Sequence, residues 1–296
     1  MPDTTATKAE EDSPRIYKIL LMVLPVGVVV GTIIFMFMYF HLEREEEKNH
    51  SVIVAHGFRA TDLEDMVDKF TGRIGLRDMN TEAGRSGLRR AASMIEGRLG
   101  PQNVGYSVTR SDGLAAHGLL WRSLSVEVPG EKNPQEVVFA AVSFAGSGQD
   151  ADANTVSTMV MLASSMALEK PARTLRFVFI PMEDTTASKN QWLLSRCLKP
   201  GETCTGIIGL ETMQEMPSTA DSAWQAFTKS ASDLDWWNSL QGNNEVSRVN
   251  EDRTPSVWLT HTVFSPQAWT GSRGQRIERT LSAAQELRKW LVKASQ

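Results

Sequence analysis

Twenty-two consecutive residues without a charge, Ile19–Phe40 (ILLMVLPVGVVVGTIIFMFMYF), constrain this chain more than any other feature in it. As a helix the run would extend ~33 Å at about 1.5 Å per residue, the thickness of a bilayer core. A buried helix of a soluble domain shows a polar face, and this run has none. A cleavable leader would have a shorter apolar stretch of about 7–15 residues ending in small side chains. This run instead ends in Met38-Tyr39-Phe40. The expectation is an uncleaved single membrane span over residues 16–40, in which Pro25, Gly27 and Gly31 are tolerable.

The flanks set an orientation. Arg15 and Lys18 sit close before the run, whereas Arg44 and Lys48 after it are diluted by acids. The Lys/Arg bias places a short, disordered tail, residues 1–15, in the cytoplasm and the rest of the chain outside the cell membrane. Residues 41–75 read as a juxtamembrane segment and 76–296 as one folded domain. With 41% apolar residues, 22% charged and a net charge of −4, the chain has no basic stripe for a nucleic acid. Its two cysteines, Cys197 and Cys204, bracket the turn-rich LKPGET. They read equally as a disulfide in an oxidising compartment or as two unpaired small residues.

From Thr81 onward the pattern is regular. Leu88, Ala91, Ala92, Ile95 and Leu99 fall on one helical face, stopped by Gly100-Pro101. LWRSLSVEV alternates as a half-buried strand does, and VVFAAVSFA is continuously apolar, as a strand covered on both faces is. A helix over TVSTMVMLASSMAL follows, capped by Asn154 or Thr155. Strand TLRFVFIP, helix SKNQWLLSR, strands TGIIGL and PSVWLT and a C-terminal helix complete the series. Strands alternating with helices predict an α/β fold, a mostly parallel mixed sheet sandwiched by helices.

Such sheets carry their sites at the carboxyl ends of the strands. Those ends are Phe144–Asp152, Met182–Thr185, Glu211–Met213 and His261–Thr262. Three of the four carry acids: Asp150 and Asp152, the Glu183-Asp184 pair, and Glu211. Carboxylates gathered at one edge persist only when a cation, an arginine or protons neutralise them. They read either as a metal site with one carboxylate left as general base, or as loop acids and helix caps. Trp224, Trp236 and Trp237 read as core packing or, together, as the lining of an apolar groove.

The ordered series resembles the M28 family of zinc aminopeptidases, which includes glutaminyl-cyclase-like enzymes. AASMIEGRLG resembles that family's first helix, and DADANTVSTMVMLASSMALEKPARTLRFVFIPMED is similar to its "GADDNASGVAALLELARAL…KPKRTIRFVFFGAEE". TGIIGLETM resembles "AMINLDMIG", and TPSVWLT resembles "IPAVLLT". The resemblance implies a zinc-exopeptidase-like fold and maps its ligands onto this chain. The first histidine and aspartate fall on Val142 and Phe144, and the bridging aspartate on Asp150 or Asp152. The general base falls on Glu183, the next ligands on Asp184 and Glu211, and the late histidine on Trp269. Both imidazoles are thereby lost and two acids have changed length, against zinc's need for nitrogen or sulfur ligands of fixed reach. The implied protein is a membrane-anchored domain with a vestigial site and no cofactor, binding a peptide or protein partner. The alternative is a diverged hydrolase with an ion held by Asp150 or Asp152, Asp184, Glu211 and His261, and with Glu183 as base. An arginine such as Arg273 among the acids would favour the first.

Overall fold

A computed structural model of the chain describes residues 27–40, 55–111, 113–116, 119–182, 185–212, 224–227, 231–242, 254–265 and 272–296. The chain divides into two compact units, Met1–His50 and Ser51–Gln296. In the first, residues 27–40 form helix α1, whose apolar side chains from Val28 to Phe40 are exposed. Within it the Thr32 hydroxyl donates to the Val28 carbonyl at 2.8 Å, one turn back along the helix. Among the described residues no helix is long and apolar enough to cross a membrane. Residues 16–26 of the expected span lie outside the described residues.

The second unit begins well before the boundary expected at residue 76. Helix α2 (Ala60–Asp68) and a π-turn (Lys69–Ile74) bury Leu63, Met66, Val67, Phe70 and Ile74 in the main core. Helix α3 (Glu82–Leu99) follows, capped by the Thr81 hydroxyl, which accepts from the Gly84 amide at 2.9 Å. Two short strands, β1 (Thr109–Arg110) and β4 (Leu124–Val128), flank a hairpin of β2 (Leu114–Ala116) and β3 (Leu119–Trp121). The rest alternates: β5 (Asn133–Ser143), α4 (Asp150–Ser165), β6 (Arg173–Ile180), α5 (Thr186–Trp192), β7 (Thr203–Leu210), β8 (Trp224–Phe227), α6 (Ala231–Gln241), β9 (Ser256–His261) and α7 (Arg273–Ala294). Helix α4 starts earlier than its sequence indicates: Gln149 is its N-cap, and Asn154 and Thr155 lie inside it.

The main sheet runs β1-β4-β6-β5-β7-β9-β8. Its centre, β6-β5-β7-β9, is parallel, and the pairs at its edges are antiparallel. The apolar run of β5 is explained by burial on both faces. Val138, Ala140 and Val142 join the core beneath α2, α3, α4 and α7, while Val137, Phe139 and Ala141 join a smaller core with Trp192 and Leu193. β6 lies on one side of β5 and β7 on the other, so the order reverses at β5, and the region beyond the carboxyl ends of β5 and β7 is where sheets of this type place their ligand crevice.

Gly209 of β7 shows how tightly the smaller core is filled. A Cβ there would overlap the ring of Trp258, which is 1% exposed. Gly209→Ala is expected to destabilise the fold by about 1–3 kcal/mol, the usual cost of overpacking. Urea denaturation of the variant against the parent chain checks this.

Candidate functional site

The crevice is built from the loop after β5, the first turn of α4 and the residues after β7. Val142 pairs with Phe179 on one side and Leu210 on the other and is fully buried. Phe144, whose amide donates to the Ile180 carbonyl at 2.9 Å, is buried in the same core. The two positions where the resemblance puts the first metal ligands are therefore apolar and packed.

Each acid described here has a basic partner. Asp152, in the first turn of α4, is buried and lies 3.0 Å from the Arg77 guanidinium, itself fully buried. Its other oxygen accepts from the Ser147 hydroxyl at 3.1 Å and the Gly148 amide at 3.0 Å. Asp150 pairs with Arg276 of α7. Glu211, directly after β7, receives the Lys189 ammonium at 2.6 Å, and that ammonium sits 5.1 Å from the centre of the Trp258 ring. Burial pushes the Glu211 carboxyl above the usual carboxylate range although Lys189 pulls it down. Asp152 belongs to the α4 side of the sheet edge, whereas Lys189 meets Trp258 of the opposite core. Glu183, Asp184 and Trp269 lie outside the described residues.

Among the described residues no group of three or more His, Cys, Asp or Glu side chains is placed to hold a metal ion. Zinc needs a converging set that includes nitrogen or sulfur donors. The described residues at the implied ligand positions instead offer two buried apolar side chains and three carboxylates already bonded to cations. They do not fit zinc.

His261, the imidazole of the alternative ion site, is committed elsewhere. Its Nδ1 accepts from the Val263 amide at 3.2 Å, and its ring meets Trp224 edge-on with centroids 4.8 Å apart. Trp224 and Trp237 each also stack edge-on against Trp290, at 5.2 and 4.6 Å. Trp224, Trp236 and Trp237 are all buried, so these tryptophans pack the core rather than line a groove. Arg273 reaches Glu64 at 3.1 Å and Asp68, both on α2, instead of the carboxylates of Asp152 and Glu211.

Cys197 and Cys204 are free thiols, both buried. The Cys197 sulfur lies 3.5 Å from the Ser123 hydroxyl beside β4, while Cys204 is on β7, three strands away in the sheet order. The Cys204 sulfur instead lies 3.7 Å from the Gly206 carbonyl. Burial also raises both thiols, Cys204 to about 12.

The partners that sequence reading missed are Arg77, Lys189 and Arg276. Nothing in the sequence marks them, because each acts on an acid far along the chain or across a strand end. The acids themselves were visible; their neutralisation was not.

The architecture defines a class, the zinc-exopeptidase-like α/β fold. Solved structures of that kind include a candidate Zn-dependent exopeptidase from Bacteroides vulgatus. It is 14% identical with a TM-score of 0.50, and the match covers 81% of this chain and 98% of that one. The glutaminyl cyclase of Fimbriiglobus ruber is 10% identical at a TM-score of 0.50, covering 82% of this chain and 97% of that one. The glutaminyl cyclase of Porphyromonas gingivalis is 9% identical at 0.50, covering 79% and 98%. At these identities the likeness is one of fold. No protein-family model matches the chain. No curated protein matches it by sequence.

Burial lowers His261 from 6.5 to about 4. Unfolding therefore takes up a proton between those values, and stability falls as pH falls through that window. The effect on this one group is up to about 3 kcal/mol. His261→Phe is expected to remove that part of the acid sensitivity, read as the difference in urea stability between pH 7 and pH 4.5 for variant and parent.

Proposed function

We propose that this chain is a membrane-tethered, M28-like domain that has exchanged metal-dependent hydrolysis for binding, and that its crevice engages a peptide segment or protein partner. The observation that carries this reading is the packing of Val142 and Phe144, 0% and 1% exposed, where metal-binding side chains would have to stand. The pairing of Asp152, Asp150 and Glu211 with Arg77, Arg276 and Lys189 supports it further. A carboxylate paired with a guanidinium or ammonium has little left to offer a zinc ion or an activated water. No cofactor is part of this reading. The crevice keeps its place at the reversal of strand order, where sheets of this type bind ligands.

The tether is the apolar run of which α1 is the described part. Its exposed side chains, among them Ile33, Phe35, Phe37 and Phe40, suit hydrocarbon. With Arg15 and Lys18 ahead of it, the folded domain faces out of the cytoplasm.

The deciding measurement is zinc content and aminopeptidase activity of the full chain purified in detergent, beside a Glu183→Ala variant. Substoichiometric zinc and no turnover in either protein are expected. Stoichiometric zinc with hydrolysis that disappears in Glu183→Ala would overturn the reading and establish a rearranged metal site.

The tether is checked separately by alkaline carbonate extraction of membranes. The chain is expected to stay in the pellet, and a variant lacking residues 16–40 to leave it. Release of the intact chain would remove the anchor from the proposal.

A further inference from the structure

We propose that Arg77 does in this crevice the structural work of a bound cation: its guanidinium neutralises Asp152 and holds the crevice floor together, so that the floor assembles without any ion. The idea rests on reading the crevice as the place where this fold class holds metal, but its test is independent of catalysis.

The geometry is that of a hub. Arg77 is fully buried, and Nε donates to the Phe144 carbonyl at 2.8 Å. Nη1 donates to the Gly75 carbonyl at 2.9 Å and, at 3.4 Å, to that of Phe70. Nη2 faces the Asp152 carboxylate at 3.0 Å. One side chain thus gathers four oxygens from three separate places: the π-turn and the residues after it, the end of β5, and the first turn of α4. Gathering of this kind by a hard positive centre is what an oxygen-bound ion does. Asp152 completes the join by accepting from Ser147 and Gly148.

The backbone is cut to fit this pair. Arg77 and Gly146 exchange main-chain hydrogen bonds at 2.8 and 2.9 Å, which brings the two segments side by side. A Cβ on Gly146 would overlap an oxygen of Asp152 and come within 2.8 Å of Nη2. Gly148 has φ +82°, and a Cβ there would lie 2.6 Å from the Gly75 carbonyl carbon. Two glycines thus leave room for one charged contact and for the segment that supplies it. Such closeness has no purpose if the guanidinium is a bystander.

The pair must act as a unit if this is right. Removing one member leaves a charge buried alone, which costs much more than replacing both members with apolar groups. The experiment is a double-mutant cycle on the full chain in detergent: Arg77→Met, Asp152→Leu and the pair together, read by melting temperature. Each single change is expected to lower it by roughly 6–20 °C. The pair together is expected to lose no more than half of the sum of the two. Should a single variant fail to fold, the cycle is read on the milder pair Arg77→Lys and Asp152→Asn: coupled losses support the proposal, and in either cycle losses that simply add overturn it. Asp152→Asn separates charge from hydrogen bonding, because the amide oxygen can still accept from Ser147 and Gly148. It is expected to melt lower than the parent, and an unchanged value would remove charge neutralisation from the account. The parent's melting temperature is expected to be indifferent to EDTA and to added zinc. A fall with EDTA would show that an ion shares the work and would overturn the claim that none is needed. Hydrolysis by the parent, by contrast, would sink the functional reading while leaving this cycle intact.

Discussion

A carboxylate cannot stay ionised beneath the edge of a buried sheet unless a positive charge lies within a few ångströms. The crevice of this protein is organised around that constraint. Asp152 is brought there by α4 and Glu211 by the end of β7, while Asp150 stands exposed on the same turn as Asp152; each meets a base carried by a different element. Arg77 comes from the segment ahead of α3, Arg276 from α7 and Lys189 from α5. Neutralisation therefore also crosslinks the fold, tying the segment after α2 and the start of α7 to α4, and α5 to the strand end beside it.

The chain shows how the number of cations decides the outcome. Glu127 on β4 is penalised by burial, yet Lys199 and Arg176 together hold its carboxyl below the usual range. Glu211 is penalised in the same way but has Lys189 alone, and its carboxyl ends above that range. Arg176 is itself buried and is kept charged against burial by Glu202 and Glu127. One lysine offsets only part of the desolvation of one buried acid, whereas two bases reverse it.

The sheet and its flanking helices were legible because they are written in periodicity. The apolar runs of β5, β6 and β7 and the spacing of Leu88, Ile95 and Leu99 leave few alternatives for a chain that must bury them. Helix α2 was missed because ATDLEDMVD is short and lies in a stretch whose charges resemble a linker; only its contacts with α4 and α7 make it part of the domain. The acids of the crevice were legible by their position after apolar strands, but their partners were not. Whether Asp152 meets an ion or a guanidinium depends on where residue 77 is delivered in space. A main-chain pairing with Gly146, 69 residues on, decides that. The disulfide question has the same form: six residues lie between Cys197 and Cys204, but the fold gives the two thiols different neighbours, the Ser123 hydroxyl and the Gly206 carbonyl.

Charge neutralisation and apolar filling are not independent features here. The carbonyl of Phe144 accepts from Arg77 while its ring fills the core, so one residue takes part in both. Introducing a metal-binding side chain at position 144 would place a polar group in a packed apolar environment beside a guanidinium that repels cations. Introducing histidine at position 142 would do the same between Phe179 and Leu210. A single change at either position would have to displace packed apolar neighbours before a ligand could face the sheet edge. The arrangement is self-consistent as it stands, with the positive charge built into the chain and positions 142 and 144 absorbed by the core.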